Sequence, residues 1–252
     1  MVNDAPIGWA MHHVTRSEDG QGEVASTVRI EKLTLDQFLQ QGFGRLGNLI
    51  ARSFAADDTT LNRLRLRIAN TMRFDNFGEL ESFDCTVQED SWGDLIQLKG
   101  SVRDGELFVR AYLVVEQGES ALTTEPVYQA TLPLPPEKIV VDSLSPRPRF
   151  GQLHVGQRWQ FESYNPLAPT QPLQTLEAHV TERRALRYDG QEVMTLLVVY
   201  RAADDGGLSL QQDLGEVWVT PEGSVLRQTF RWGQMTLEFE RLPDSSVDSN
   251  AL

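Results

Sequence analysis

The sequence predicts a mainly β protein, built as a large curved antiparallel sheet or an unclosed β-barrel with one or two short helices. Three observations carry this expectation. Apolar and polar residues alternate at period two through most of the chain, as in Leu64, Leu66 and Ile68 against Arg63, Arg65 and Arg67. Turn signals such as Asp104-Gly105 and Asp189-Gly190 separate these stretches at intervals of roughly eight to fifteen residues. Gly215 to Leu242 spells a three-stranded meander, whose last strand sets Met235, Leu237 and Phe239 against Thr236, Glu238 and Glu240.

The elements follow in order. Ile7–Arg16 and Val24–Leu35 read as an opening hairpin across the turn-rich Ser17 to Gly22. Phe38, Leu39, Leu46, Leu49, Ile50 and Phe54 then keep helical spacing, and because Gly42, Gly44 and Gly47 weaken the first half, a short helix is expected over Leu46–Phe54. Strands are expected over Leu61–Met72, Glu79–Gln88, Asp94–Arg103 and Glu106–Glu116. Arg63, Arg65 and Arg67 share one face, read as a solvated face paired with carboxylates of the neighbouring strand rather than as an anion site.

Pro126, Pro133, Pro135, Pro136, Pro146 and Pro148 then mark a crossover, with an edge strand near Val127–Leu132 and a helical turn or irregular piece around Glu137–Leu144. Strands resume at Gln157–Tyr164, Leu173–Leu186, Gln191–Ala202 and Leu208–Gln212 and lead into the meander. Pro221 presets the first turn of that meander and Gly223 takes the left-handed conformation that closes it. The expected organisation is a first half-sheet with its helix over 1–125, a proline-rich crossover over 126–150, a second half-sheet over 151–242 and a disordered tail over 243–252. Gly78-Glu79-Leu80 and Gly105-Glu106-Leu107 echo Gly215-Glu216-Val217 and Gly223-Ser224-Val225, which suggests two similar halves.

Composition narrows the function classes. A net charge of -13 argues against a nucleic-acid backbone or an anionic membrane surface as partner. The single cysteine, Cys85, excludes an intramolecular disulfide and leaves the compartment undetermined. No apolar run approaches the roughly 18 residues of a membrane-spanning helix, and no basic-then-apolar export signal is visible at the start. Met1-Val2-Asn3-Asp4 fits either a true start or a chain whose signal or anchor has been removed.

No catalytic signature is legible. His12 and His13 are strand neighbours that point to opposite faces, His154 and His179 stand alone, and no metal or other cofactor is expected. Cys85 sits in an alternating strand and reads as a core side chain. Asp204 and Asp205, followed by Gly206-Gly207, read as turn residues, and Gly42 to Gly47 lacks the strand–turn–helix setting of a dinucleotide site. The chain reads as no enzyme.

Gly151 to Leu242, in particular Leu153-His154-Val155-Gly156-Gln157-Arg158-Trp159, the strand Gln191–Tyr200 and Gly215 to Arg227, resembles the bacterial open-barrel envelope proteins of the LolA/LolB lipoprotein-localisation type. The resemblance implies an incomplete barrel around a hydrophobic cavity, a lipid or acyl-chain ligand, and a place in the periplasm or cell envelope. In such a partly closed sheet Trp9, Trp159 and Trp218 are expected to line the groove, and Phe38, Leu46, Leu49, Ile50 and Phe54 to form its lid. Two functions stay open: binding of a lipid, acyl chain or lipidated protein on the concave sheet face, or a structural module with a filled core that docks a protein partner.

Overall fold

The structure, a computed structural model, describes residues 8–33, 64–91, 93–114, 125–134, 140–142, 147, 149–164, 173–203, 213–232 and 235–243. Its strands are β1 (Gly8–Arg16), β2 (Gly22–Leu33), β3 (Leu64–Phe74), β4 (Leu80–Glu89), β5 (Gly93–Arg103), β6 (Glu106–Leu113) and β7 (Tyr128–Pro133) in the first half. The second half holds β8 (Val140–Asp142), β9 (Arg158–Tyr164), β10 (Leu173–Tyr188), β11 (Gln191–Ala202), β12 (Asp213–Val219), β13 (Val225–Trp232) and β14 (Met235–Glu240). They form two seven-stranded sheets, ordered β1 through β7 and β14 back through β8, and among the described residues neither closes into a barrel. The chain divides into two units, Met1–Ser145 with Glu162–Gln174, and Pro146–Phe161 with Thr175–Leu252.

The first sheet is a meander in which each strand pairs antiparallel with its sequence neighbour. Residues directly opposite one another share a face, so the register assembles rows across the sheet. Val28, Ile68, Val87, Ile96 and Leu113 make one row; Ser26, Asn70, Cys85, Leu98 and Ala111 make the next; Val24, Met72, Phe83, Gly100 and Val109 make a third. Most of these side chains are buried, Cys85 and Leu98 completely. The ring of Phe83 lies where a side chain on Gly100 would stand, so the row is filled by an aromatic ring over a glycine. The other face is polar, with Arg29, Arg65, Arg67, Asp84 and Lys99.

On that polar face neither Arg65 nor Arg67 forms an ion pair among the described residues, whereas Arg73 further along β3 pairs with Glu23 of β2 at 3.2 Å. Arg67 stands opposite Arg29 and Gln88, and Arg65 stands opposite Glu31. The carboxylates go to Arg29, at 2.6 Å from Asp90 and 3.4 Å from Glu31. Arg63 lies outside the described residues.

The second sheet is antiparallel from β10 to β14, and β8 joins β9 in parallel. The strand at Val140–Asp142 replaces the helical turn or irregular piece expected around Glu137–Leu144. Its two adjacent valines suit a pleated surface better than a helical turn. The short helix expected over Leu46–Phe54 and the strand expected over Leu208–Gln212 lie outside the described residues.

Among the described residues, turns fall where the sequence placed them, while the reversals expected at Asn165-Pro166 and Asp204 to Gly207 lie outside those residues. Asp104-Gly105 and Asp189-Gly190 both take positive φ at each residue, the requirement of a two-residue hairpin loop matched to strand twist. Gly78, Gly105 and Gly223 are left-handed turn residues, whereas Gly215 lies inside β12. A β-carbon at Gly215 would stand 2.5 Å from the carbonyl oxygen of Thr229, so close approach of strands, and not a turn, accounts for that glycine.

Candidate functional site

The second unit carries apolar side chains on both faces of its sheet. Thr195 through Val199 are buried in succession along β11, a pattern that period two permits only when both faces are covered. One face holds Leu186, Leu197, Val199, Trp218 and Leu226, with Tyr188 and Val193 packed beside them. The guanidinium of Arg227 lies 5.8 Å from the centre of the Trp218 ring and its Nε lies 3.7 Å from a Glu238 carboxylate oxygen.

The opposite face is built differently. Register places Ala178, Tyr200, Gly215, Phe230 and Leu237 in one row and Val180, Val198, Val217, Gln228 and Phe239 in the next. Gly215 brings no side chain to its row, and its neighbours close over it, since a β-carbon there would meet the Thr229 carbonyl oxygen and the Phe230 side chain. The Phe230 and Phe239 rings stack at 5.7 Å between centroids, and Phe161 meets Tyr200 edge-on at 5.2 Å. Phe150 meets Trp159 edge-on at 6.0 Å.

A strap around Arg147 to Gly151 crosses the turn between β12 and β13. The Phe150 backbone N–H donates to the Gly223 carbonyl at 2.8 Å, Arg149 forms a bridge with Ser224, and the Arg149 guanidinium donates to the Glu222 carbonyl at 3.2 Å. The Arg147 backbone N–H donates to Gln228 Oε1 at 3.2 Å, and its guanidinium lies 5.0 Å from the centre of the Phe150 ring. Among the described residues no carboxylate pairs with Arg147.

Burial pushes the Tyr200 hydroxyl up to about 12, and the nearby Arg147 charge pulls the other way. The phenol is therefore a neutral donor across the physiological range. Since the folded value stands above the ordinary 10.0, the folded state holds the proton more tightly. Stability is full below pH 10 and is lost as pH rises through about 12, by on the order of 2–3 kcal/mol. Alkaline unfolding curves are expected to lose that component in Tyr200→Phe.

Of the tryptophans expected to line one groove, Trp159 and Trp218 stand on different faces of the second unit's sheet. Trp159 belongs with Phe150 and lies two residues from Phe161, whose ring meets Tyr200, while Trp218 lies on the other face with Leu197. Trp9 pairs with Arg29 on the polar face of the first sheet and is 47% exposed. Phe38, Leu46, Leu49, Ile50 and Phe54 lie outside the described residues. Sequence reasoning missed Arg147, Phe150, Phe161, Tyr200 and Gln228. Arg147 reaches Gln228 across 81 residues, and no local pattern announces such a contact. Phe161 was detectable, two positions after Trp159 on the same strand face.

His12 faces Ser26 and His13 faces Ala25, so the two imidazoles leave opposite sides of β1. Among the described residues no group of three or more His, Cys, Asp or Glu is placed to hold a metal. Also among them, no helix is long and apolar enough to cross a membrane.

No protein-family model and no curated protein matches this chain. Among solved structures it is similar to a β-barrel-like protein of domain of unknown function DUF1849 from Brucella abortus, with 10% identity and a TM-score of 0.47 over 92% of this chain and 85% of that one. It is also similar to a DUF1089 family protein from Pseudomonas aeruginosa, with 13% identity and a TM-score of 0.39 over 94% of each chain. Likeness at this level assigns neither family nor activity, and the β architecture rests on the strands themselves.

Proposed function

We propose that the chain is a non-enzymatic binding protein of the cell envelope that holds an amphiphile, its apolar part against the aromatic face of the second sheet and its anionic head at Arg147. The observation that carries the reading is Arg147 itself. Its guanidinium sits on the Phe150 ring beside Tyr200, and no protein carboxylate among the described residues neutralises it. A carboxylate or phosphate head group supplies the missing counter-charge and accepts a hydrogen bond from the neutral phenol. Trp159 and Phe230, both partly exposed, offer apolar surface to the chain of such a ligand, with the buried Phe150 and Phe161 rings behind them, and each methylene buried there contributes about 0.8 kcal/mol. The location in the envelope rests on the resemblance to LolA/LolB-type proteins.

Native mass spectrometry of the full chain, with a fluorescent fatty acid titrated in parallel, tests this reading. Retained amphiphile and saturable fatty-acid binding are expected, with Arg147→Gln weakening a carboxylate ligand by about 10-fold or more, as loss of a hydrogen bond to a charged group predicts. Absence of any bound species across detergents, together with no fatty-acid binding, overturns it. A second reading, a protein-interaction module with a filled core, is favoured by the successive burial of Thr195 to Val199. That reading expects no bound amphiphile.

A further inference from the structure

The two sheets have end strands β1, β7, β8 and β14. A bare edge invites pairing with another chain, and proteins blunt edges with proline, charge or shortness. β7 ends on Pro133, β8 has three residues, and β14 carries Glu238 and Glu240, at 3.7 and 3.5 Å from Arg227. β1 differs from all of them. It has nine residues, GWAMHHVTR, with no proline, no acidic residue and no Lys or Arg before Arg16.

β1 also concentrates exposed apolar surface. Trp9, Met11 and Val14 are 47%, 62% and 56% exposed, and these are three of the eight exposed large apolar side chains among the described residues. Register puts Trp9 and Met11 on one face, opposite Arg29 and Thr27, and Val14 on the other, opposite Val24. Among the described residues no strand pairs with the outer edge of β1, and apolar surface flanks that edge on both sides.

We propose that β1 is a self-association edge, at which a second copy of this chain pairs antiparallel with His12 facing His12 across a two-fold axis. In that register Trp9 meets Thr15, Ala10 meets Val14, Met11 meets His13 and Gly8 meets Arg16, so three of the four pairs set a large side chain against a smaller one. The Val28–Ala10 row continues into Val14 and Val24 of the second copy, which extends an apolar face across the seam. The row that begins at Arg29 beside Trp9 ends at Glu23 beside Thr15 of the second copy, and each charge is already paired within its own chain, Arg29 with Asp90 and Glu31 and Glu23 with Arg73, so neither opposes the approach of the other copy. The charge-free run lets two chains of net charge -13 meet along a neutral line.

A single strand-to-strand contact falls at the small end of interfaces, below about 1,200 Å², and the dimer is accordingly weak, with a dissociation constant on the order of micromolar. Sedimentation velocity on the full chain over a wide concentration range, with hydrogen exchange read at low and high concentration, tests this. The expected result is a monomer–dimer shift, amide protection gained along Gly8–Arg16, and a dissociation constant raised at least about tenfold by Met11→Lys. Because Met11 is exposed, its variant is expected to keep the wild-type thermal midpoint, which separates lost association from lost folding. A wild-type chain that stays monomeric to about 1 mM, or a dimer that Met11→Lys leaves intact, overturns the proposal.

Discussion

Phe83→Ala is expected to lower stability by about 3–5 kcal/mol, read from the midpoint of urea unfolding at unchanged slope. The ring is 2% exposed and stands in the row of Val24, Met72, Gly100 and Val109, filling the place a side chain on Gly100 would take. Removing it leaves a hole with a glycine for a floor, so little neighbouring side chain is there to relax into it. The same geometry makes the two positions interdependent. Gly100→Ala alone pushes a methyl group into the ring and is expected to cost about 1–3 kcal/mol, whereas in the Phe83→Ala background it is expected to cost little or to restore some stability. Additive losses in that double-mutant cycle would show that the ring does not occupy the space over Gly100.

Gly223→Ala is expected to cost about 2–5 kcal/mol, the sum of backbone strain and overpacking. At φ +92° the residue occupies a region that L side chains rarely enter, and a β-carbon there would run into the Phe150 carbonyl. The variant therefore strains its own turn and lifts the strap that holds Phe150 against Trp159. Gly190→Ala is the control, because its φ is +74° and nothing lies within 4 Å of the added methyl group. It carries the strain alone and is expected to cost about 1–3 kcal/mol. Thermal unfolding of both variants checks the difference, and equal losses would remove the Phe150 contact from the account.

Legibility of the fold followed the range of the interactions that make it. The alternation in β3, with Leu66 and Ile68 against Arg65 and Arg67, and the Asp-Gly pairs at 104–105 and 189–190 are local, and the corresponding strands and turns stand within a few residues of where the sequence put them. Val140–Asp142 was misread because proline on both sides hides three residues that are strand only through parallel pairing with β9. The tryptophans were grouped by residue type, but period two assigns faces, and it sends Trp218 away from Trp159 and Trp9 to a solvent-facing surface. Nothing local joins Arg147 to Gln228 or Phe150 to Gly223, since those contacts arise only when the chain returns across its own sheet.

The first sheet's unbroken neighbour-to-neighbour connectivity has a consequence for how it is made. Every strand from β2 onward finds its mate in the strand synthesised just before it, so no pairing in this sheet waits for a later segment and assembly can proceed vectorially as the polypeptide is released. The advancing margin is renewed with each added strand and is finally capped at Pro133, while the opposite margin is laid down first and, among the described residues, gains no further strand. During biogenesis that lagging margin is the longest-lived surface on the nascent sheet able to capture another chain.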